Sequence, residues 1–133
     1  MSKVKFTSID NFDGFEGRLN SELLWTNASP TSAFSAQTIN LDMSKYSTII
    51  ICFRQSSGSN FTRTLTCVCA NVSSSVQQFQ VFGWINGIIR TRFVDVNDSK
   101  VYFGVGSNYN TYGNGTSITD NTVVIPTKIY GLN

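Results

Sequence analysis

Acid–base chemistry in this chain would have to rest on carboxylates, because there are eight Asp and Glu and no histidine. Without an imidazole, no Ser-His-Asp or Cys-His nucleophile can be assembled. A glycosidase needs only a pair of carboxyl groups, one of them with a raised pKa. The candidates are Asp10, Asp13, Glu16, Glu22, Asp42, Asp95, Asp98 and Asp120. None has apolar neighbours that would clearly hold it protonated. Asp42, Asp98 and Asp120 lie among turn residues, where Asp ordinarily accepts from nearby backbone N–H groups. No phosphate-binding loop occurs, and Gly104-Val105-Gly106 lacks the third glycine of a dinucleotide fingerprint. The three thiols, Cys52, Cys67 and Cys69, are an odd number. Two residues apart on a strand, Cys67 and Cys69 face the same way, and a disulfide between them would be strained. Structural zinc wants four N or S ligands, which this chain does not supply. The thiols read as small buried hydrophobes. No catalytic residue, metal or cofactor is expected.

Binding chemistry is better represented. From Gly104 to Asn121 the sequence reads GVGSNYNTYGNGTSITDN, with four Gly, four Asn, two Tyr and a single charge. Tyr supplies rigid amphipathic area, and Asn, Ser and Gly supply adaptable hydrogen bonding. The segment reads as a long recognition loop. Tyr109 and Tyr112 would stack on a ligand, while Asn108, Asn110, Asn114 and Asp120 would bond its polar groups. Trp84 and Arg90, beside the Asn86-Gly87 pair, are the next candidates. For Trp25 and Trp84 themselves, embedded in apolar strand-like stretches, core packing is the default. Arg90 and Arg92 alternate with Thr91 and read as a charged outer face or an anion contact.

These residues must be carried by strands. Charged residues make up 14% of the chain against ~25% in ordinary soluble domains, and Ser, Thr and Asn supply the polarity instead. Such residues suit turns and strands better than helices. Leu23 to Thr26, Ser35 to Leu41, Tyr46 to Gln55, Thr62 to Val72, Val76 to Ile85, Ile88 to Val96, Tyr102 to Val105 and Thr122 to Tyr130 have strand character. Ile49-Ile50-Ile51 suggests a strand buried on both faces. Asn86-Gly87 fits the two positive φ angles of a type I′ hairpin turn. Pro126 cannot donate to a ladder, so the last strand is at an edge there or kinked. Eight or nine short strands punctuated by turn residues predict an all-β antiparallel β-sandwich of jelly-roll type over residues 21–133. Residues 1–20 form an irregular arm, with Phe6, Ile9, Phe12 and Phe15 as its apolar contacts.

The net charge of +2 and the absence of a basic cluster argue against nucleic acid. Ile49 to Phe53, the longest apolar run, is far short of a membrane span, so no membrane insertion is expected. Residues 1–20 have no secretory core, which reads as synthesis in the cytoplasm. Five N-x-[ST] triplets, at Asn27, Asn60, Asn71, Asn97 and Asn114, follow from a chain rich in Asn, Ser and Thr.

Leu23-Leu-Trp-Thr-Asn27, Ser32-Ala-Phe34-Ser-Ala-Gln37, Leu41, Tyr46 and Ile125-Pro-Thr-Lys-Ile-Tyr-Gly131 carry a likeness. From about residue 22 to the C-terminus, the chain resembles C-terminal modules of tail-associated minor structural proteins from phages and prophages of Gram-positive, gut-type bacteria. The resemblance implies a virion component at a tail or fibre tip. It implies a trimeric β-sandwich that receives a host cell-surface glycan or protein and joins other tail proteins. A small tail glycosidase or depolymerase and a purely structural trimerising tip are the competing readings. No site residue is carried over from the resemblance.

Overall fold

The computed structural model describes residues 21–59, 64–70, 72–110 and 115–133. The N-terminal arm, Tyr112 and Asn114 lie outside them. Nine strands run in chain order: β1 (Ser21–Thr26), β2 (Gln37–Asn40), β3 (Thr48–Ser56), β4 (Thr64–Ala70), β5 (Gln77–Ile85), β6 (Ile88–Val96), β7 (Lys100–Asn110), β8 (Ser117–Thr119) and β9 (Val123–Leu132). There is no helix among the described residues. All pairings are antiparallel and form two sheets. The first sheet has the order β1-β9-β3-β4, and the second the order β2-β7-β6-β5, with β8 also paired to β7. The chain is an antiparallel β-sandwich.

The segments around Leu23–Thr26 and Lys128–Gly131, far apart in sequence, lie side by side. β1 pairs with β9 through Leu23 with Tyr130, Trp25 with Ile129 and Thr26 with Lys128. β9 is central over Lys128–Leu132, but at Pro126 it is flanked by β3 alone and its register is irregular, as the proline requires. Pro126 sits opposite Phe53 at an irregularity in the β3 register, and β1 has already ended there. A bulge is the other place where a sheet tolerates the missing N–H. The Asn27 amide donates to the freed Pro126 carbonyl at 2.8 Å and holds the chain leaving β1.

The expected double burial of β3 is observed. Ile49, Ile51 and Phe53 enter the main core, while Ile50 and Cys52 join Tyr130 in a smaller cluster on the opposite face. Aromatic rings tie the sheets together. Phe103 of β7 lies edge-on to Phe53 of β3 at 6.1 Å and to Phe34 at 5.5 Å, with Trp25 6.0 Å away. Such geometry adds to the area buried. Trp25 therefore packs on the core, as its apolar context suggests. Asn86 and Gly87 have φ of 47° and 77°, and Ile85 pairs with Ile88 across them. That is the type I′ turn expected of Asn-Gly.

Candidate functional site

Antiparallel registry sorts the second sheet into rows. Along β5, Val81 and Gly83 are buried while Gln78, Gln80, Phe82 and Trp84 are exposed. Residues paired across strands share a face. One outer row is Trp84–Ile89–Tyr109–Ser117, and the next is Phe82–Thr91–Ser107–Thr119. Gln80 and Phe93 follow, with Val105 at the register shift in β7, and then Gln78–Asp95–Tyr102–Thr38. Nine large hydrophobic residues are exposed among the described residues. Six of them, Phe82, Trp84, Phe93, Tyr102, Val105 and Tyr109, lie on this one face. Trp84 is 60% exposed and Phe82 56%. Trp84 thus departs from the core packing that its neighbours suggested. The inward places are taken by Val81 and Gly83, and strand alternation turns Trp84 out.

The predicted recognition loop is mostly strand. β7 runs to Asn110, then β8 returns along it from Ser117. Alternation separates the candidates. Tyr109 stands on the outer face, in the row of Trp84. Asn108 pairs with Arg90 and Ile118 on the inner side. Asn110 ends β7 and is exposed. The Tyr109 ring is seated against the hairpin: a Cβ at Gly115 would come 2.5 Å from its hydroxyl, and Gly115 has φ of 63°. Only glycine fits there without displacing Tyr109.

Asp120 is engaged by its own turn. One carboxylate oxygen accepts from the Thr122 hydroxyl at 2.5 Å and the Thr122 N–H at 2.9 Å. The other accepts from the Asn108 amide at 2.6 Å. The Thr122 hydroxyl is the main reason its carboxyl lies below the usual carboxylate value, with partial burial opposing and the Asn108 amide and Arg90 adding to it. Arg90 Nε and Asn108 Oδ1, on directly paired residues, are shielded from solvent without a hydrogen bond. Arg90, Asn108 and Asp120 are therefore one cluster beneath the sheet, and Trp84 and Tyr109 another above it.

Arg92 corrects the expectation of a charged outer face. Its side chain is fully buried and points between the sheets. Nε donates to the Val124 carbonyl at 2.8 Å, and Nη1 donates to Phe34 at 3.0 Å and Gly104 at 2.6 Å. Nη2 donates to Val123 at 3.1 Å. The planar fork meets four main-chain oxygens, using the directional donors that a guanidinium supplies. The Phe34 ring lies 5.5 Å away. Burial lowers the guanidinium to about 10 while nearby Asp120 opposes, so it stays charged at neutral pH. Gly106, its cross-strand partner, leaves the room: a Cβ there would lie 2.8 Å from Arg92 Nη2 and would run into the Asp120 carbonyl. Val124 has φ of 48°, an uncommon value for a β-branched residue, and its carbonyl is one that Arg92 holds.

Two concavities flank the low end of this sheet. One, of about 360 Å³, is lined by Asn40, Leu41, Asp42, Asp98 and Ser99. Its Asp42 accepts from the Ser44 hydroxyl at 2.6 Å, which keeps that carboxyl below the usual value, the wrong direction for a general acid. The other, of about 240 Å³, includes Asp95 and Tyr102. Among the described residues, no group of three or more His, Cys, Asp or Glu could hold a metal ion, and no helix is long and apolar enough to cross a membrane.

Comparison of the chain with protein-family models, with curated proteins and with solved structures finds no significant match. Sequence reasoning overlooked Phe82, Phe93, Tyr102 and Val105 as contact residues, and weighed Asp95 only as a catalytic carboxylate. A signal for Phe82 was available: Gln78 and Gln80 share their parity with Phe82 and Trp84, so polar residues already marked that side of β5 as the outer one.

Proposed function

We infer that this chain is a non-catalytic binding module of a phage tail or fibre tip, and that the outer face of its second sheet takes a host cell-surface ligand, in the first place a carbohydrate. The observation that carries the reading is the row of exposed rings on a regular sheet. Three strand spacings make the face about 14 Å across, and its four rows make it about 20 Å long. Contiguous apolar surface of a few hundred Å² on a monomer is often functional. Flat rings offer stacking area to a sugar face, and Gln78, Gln80, Ser107 and Thr119 between them offer donors and acceptors to its hydroxyls. The resemblance of β1 and β9 to tail-protein modules supplies the biological setting.

Catalysis is the weaker reading because Asp42 and Asp120 are both held below the usual carboxylate value, where neither serves as a proton donor. Binding by one subunit is expected to be weak, since a shallow face desolvates little of a polar ligand. A homotrimer would raise avidity by about 10²–10⁴ through effective concentration. The test is adsorption of Trp84→Ala with Tyr109→Ala to Gram-positive cells, beside a circular dichroism spectrum. Loss of adsorption with the fold intact is expected. A folded double variant that adsorbs like the parent would sink the reading. If adsorption is absent in the parent and light scattering shows a trimer that the double variant dissociates, the structural trimerising tip is the better account.

A further inference from the structure

We propose that the end of the outer face farthest from the Asn86–Gly87 turn is a subsite for one neutral pyranose ring, centred on Asp95 and Tyr102. The proposal rests on the glycan-binding reading and gives it a place and a chemistry. The cavity there has a volume of about 240 Å³, and its walls include Thr38, Val76, Asp95, Asn97, Lys100 and Tyr102. That is below the ~300–1,000 Å³ of pockets for drug-sized ligands, so it suits a single ring. Thr38, Tyr102 and Asp95 are successive members of one cross-strand row, so the rigid part of the sheet sets their spacing.

Asp95 is the informative residue. Its Oδ1 is shielded from solvent, and no donor of the protein reaches it. A carboxylate with one oxygen neither solvated nor bonded is poorly satisfied, so a donor brought to the group from the cavity side is favoured. Lys100 shares the cavity but does not take the role. The ion pair found among the described residues is Lys45 with Glu22 at 3.4 Å. The cavity thus presents an anion and a cation held apart, which disfavours a ligand with net charge of either sign. A neutral polyol answers both: one hydroxyl donates to the Asp95 carboxylate from the cavity side, and another oxygen accepts from Lys100 Nζ. The Tyr102 ring and Val76 offer the apolar surface against which the C–H face of a pyranose packs. Asn97 is less free to take part, because its Oδ1 is committed to the N–H groups of Ser99 and Lys100.

The experiment is a titration of ¹⁵N-labelled full chain with methyl glycosides of glucose, galactose, mannose and N-acetylglucosamine at millimolar concentrations, followed by amide shifts. Saturable shifts at Thr38, Asp95, Val96 and Tyr102 with at least one glycoside are expected. Asp95→Asn, which keeps size and shape, should weaken that binding on the order of tenfold, since a bond to a charged acceptor is lost. Tyr102→Leu should weaken it independently while leaving the remaining spectrum in place. Shifts confined to the Trp84 and Tyr109 rows would overturn the subsite and leave the binding reading standing. Shifts at the subsite with free glycine but with no glycoside would overturn it in favour of a zwitterion site. No shift anywhere with the whole panel would overturn both.

Discussion

The two sides of β6 invert the usual rule for a sheet. Its inner side carries Arg90 and Arg92 beside Val94 and Val96, and its outer side carries Ile89, Thr91 and Phe93 before Asp95. A guanidinium goes in, and rings elsewhere on the sheet come out. The inward charge has a local physical reason: four carbonyls from three separate parts of the chain converge on it. The outward rings have no such reason within the fold, since nothing among the described residues covers Trp84 or Phe82. A feature that the fold explains is structural, and one that it leaves unexplained is where to seek a partner. That asymmetry separates Arg92 from Trp84 as objects of study.

The comparison breaks most easily at its inner side. Arg92→Met should destabilise by about 2–4 kcal/mol in urea unfolding, because four carbonyls lose a donor together while the desolvation of the guanidinium is relieved. A loss below ~1 kcal/mol would mean that the carbonyls find other partners. Gly106→Ala should cost about 1–3 kcal/mol in the same assay, since the methyl must displace either the guanidinium or the Asp120 carbonyl. Asp120→Asn acts through pH. The native carboxyl lies below its ordinary value of 3.8, so its contribution is complete above that value and is lost as pH falls through the native one. Between about pH 5 and about pH 2 the parent should therefore lose more stability than the Asn variant. Parallel losses would show that the Thr122 and Asn108 bonds do not depend on charge. At the outer side, Phe82→Ala and Trp84→Ala should each change stability by no more than about 1 kcal/mol. A larger loss in either would place that ring among the supports of the fold and weaken its claim as contact surface.

Much of this sandwich was legible in the sequence. The strand runs, the Asn86-Gly87 turn and the buried Ile49–Phe53 stretch follow from local pattern. Arg92 was not, because its acceptors at Phe34, Gly104, Val123 and Val124 are distant in sequence and are main-chain oxygens, which leave no mark on residue identity. β7 was cut short at Val105 for a related reason. Gly106 to Asn110 has poor strand propensity, yet β6 on one side and β8 on the other supply its ladder, and tertiary context overrides propensity. The candidate site was half legible: Tyr109, Trp84 and the Asn108–Asp120 neighbourhood were picked out by type. Which face each occupies depended on the extent of β7, so one group of candidates divided into two.

The pairing of Ser21 with Leu132 has a mechanical meaning. A pull that separates these two residues opens β1 from β9 like a zip, one rung at a time, and meets little resistance. A pull between Leu132 and the Trp84 row acts differently. Gln55 approaches the Trp84 carbonyl from the far end of β3, seven residues along from where Thr48 meets Leu132 and therefore about 23 Å away. Tension along that line runs parallel to β9, which is bonded on both sides, and loads its rungs in shear all at once. The sandwich is soft when its two ends are drawn apart and stiff when it is held at Leu132 and tugged at its aromatic tip.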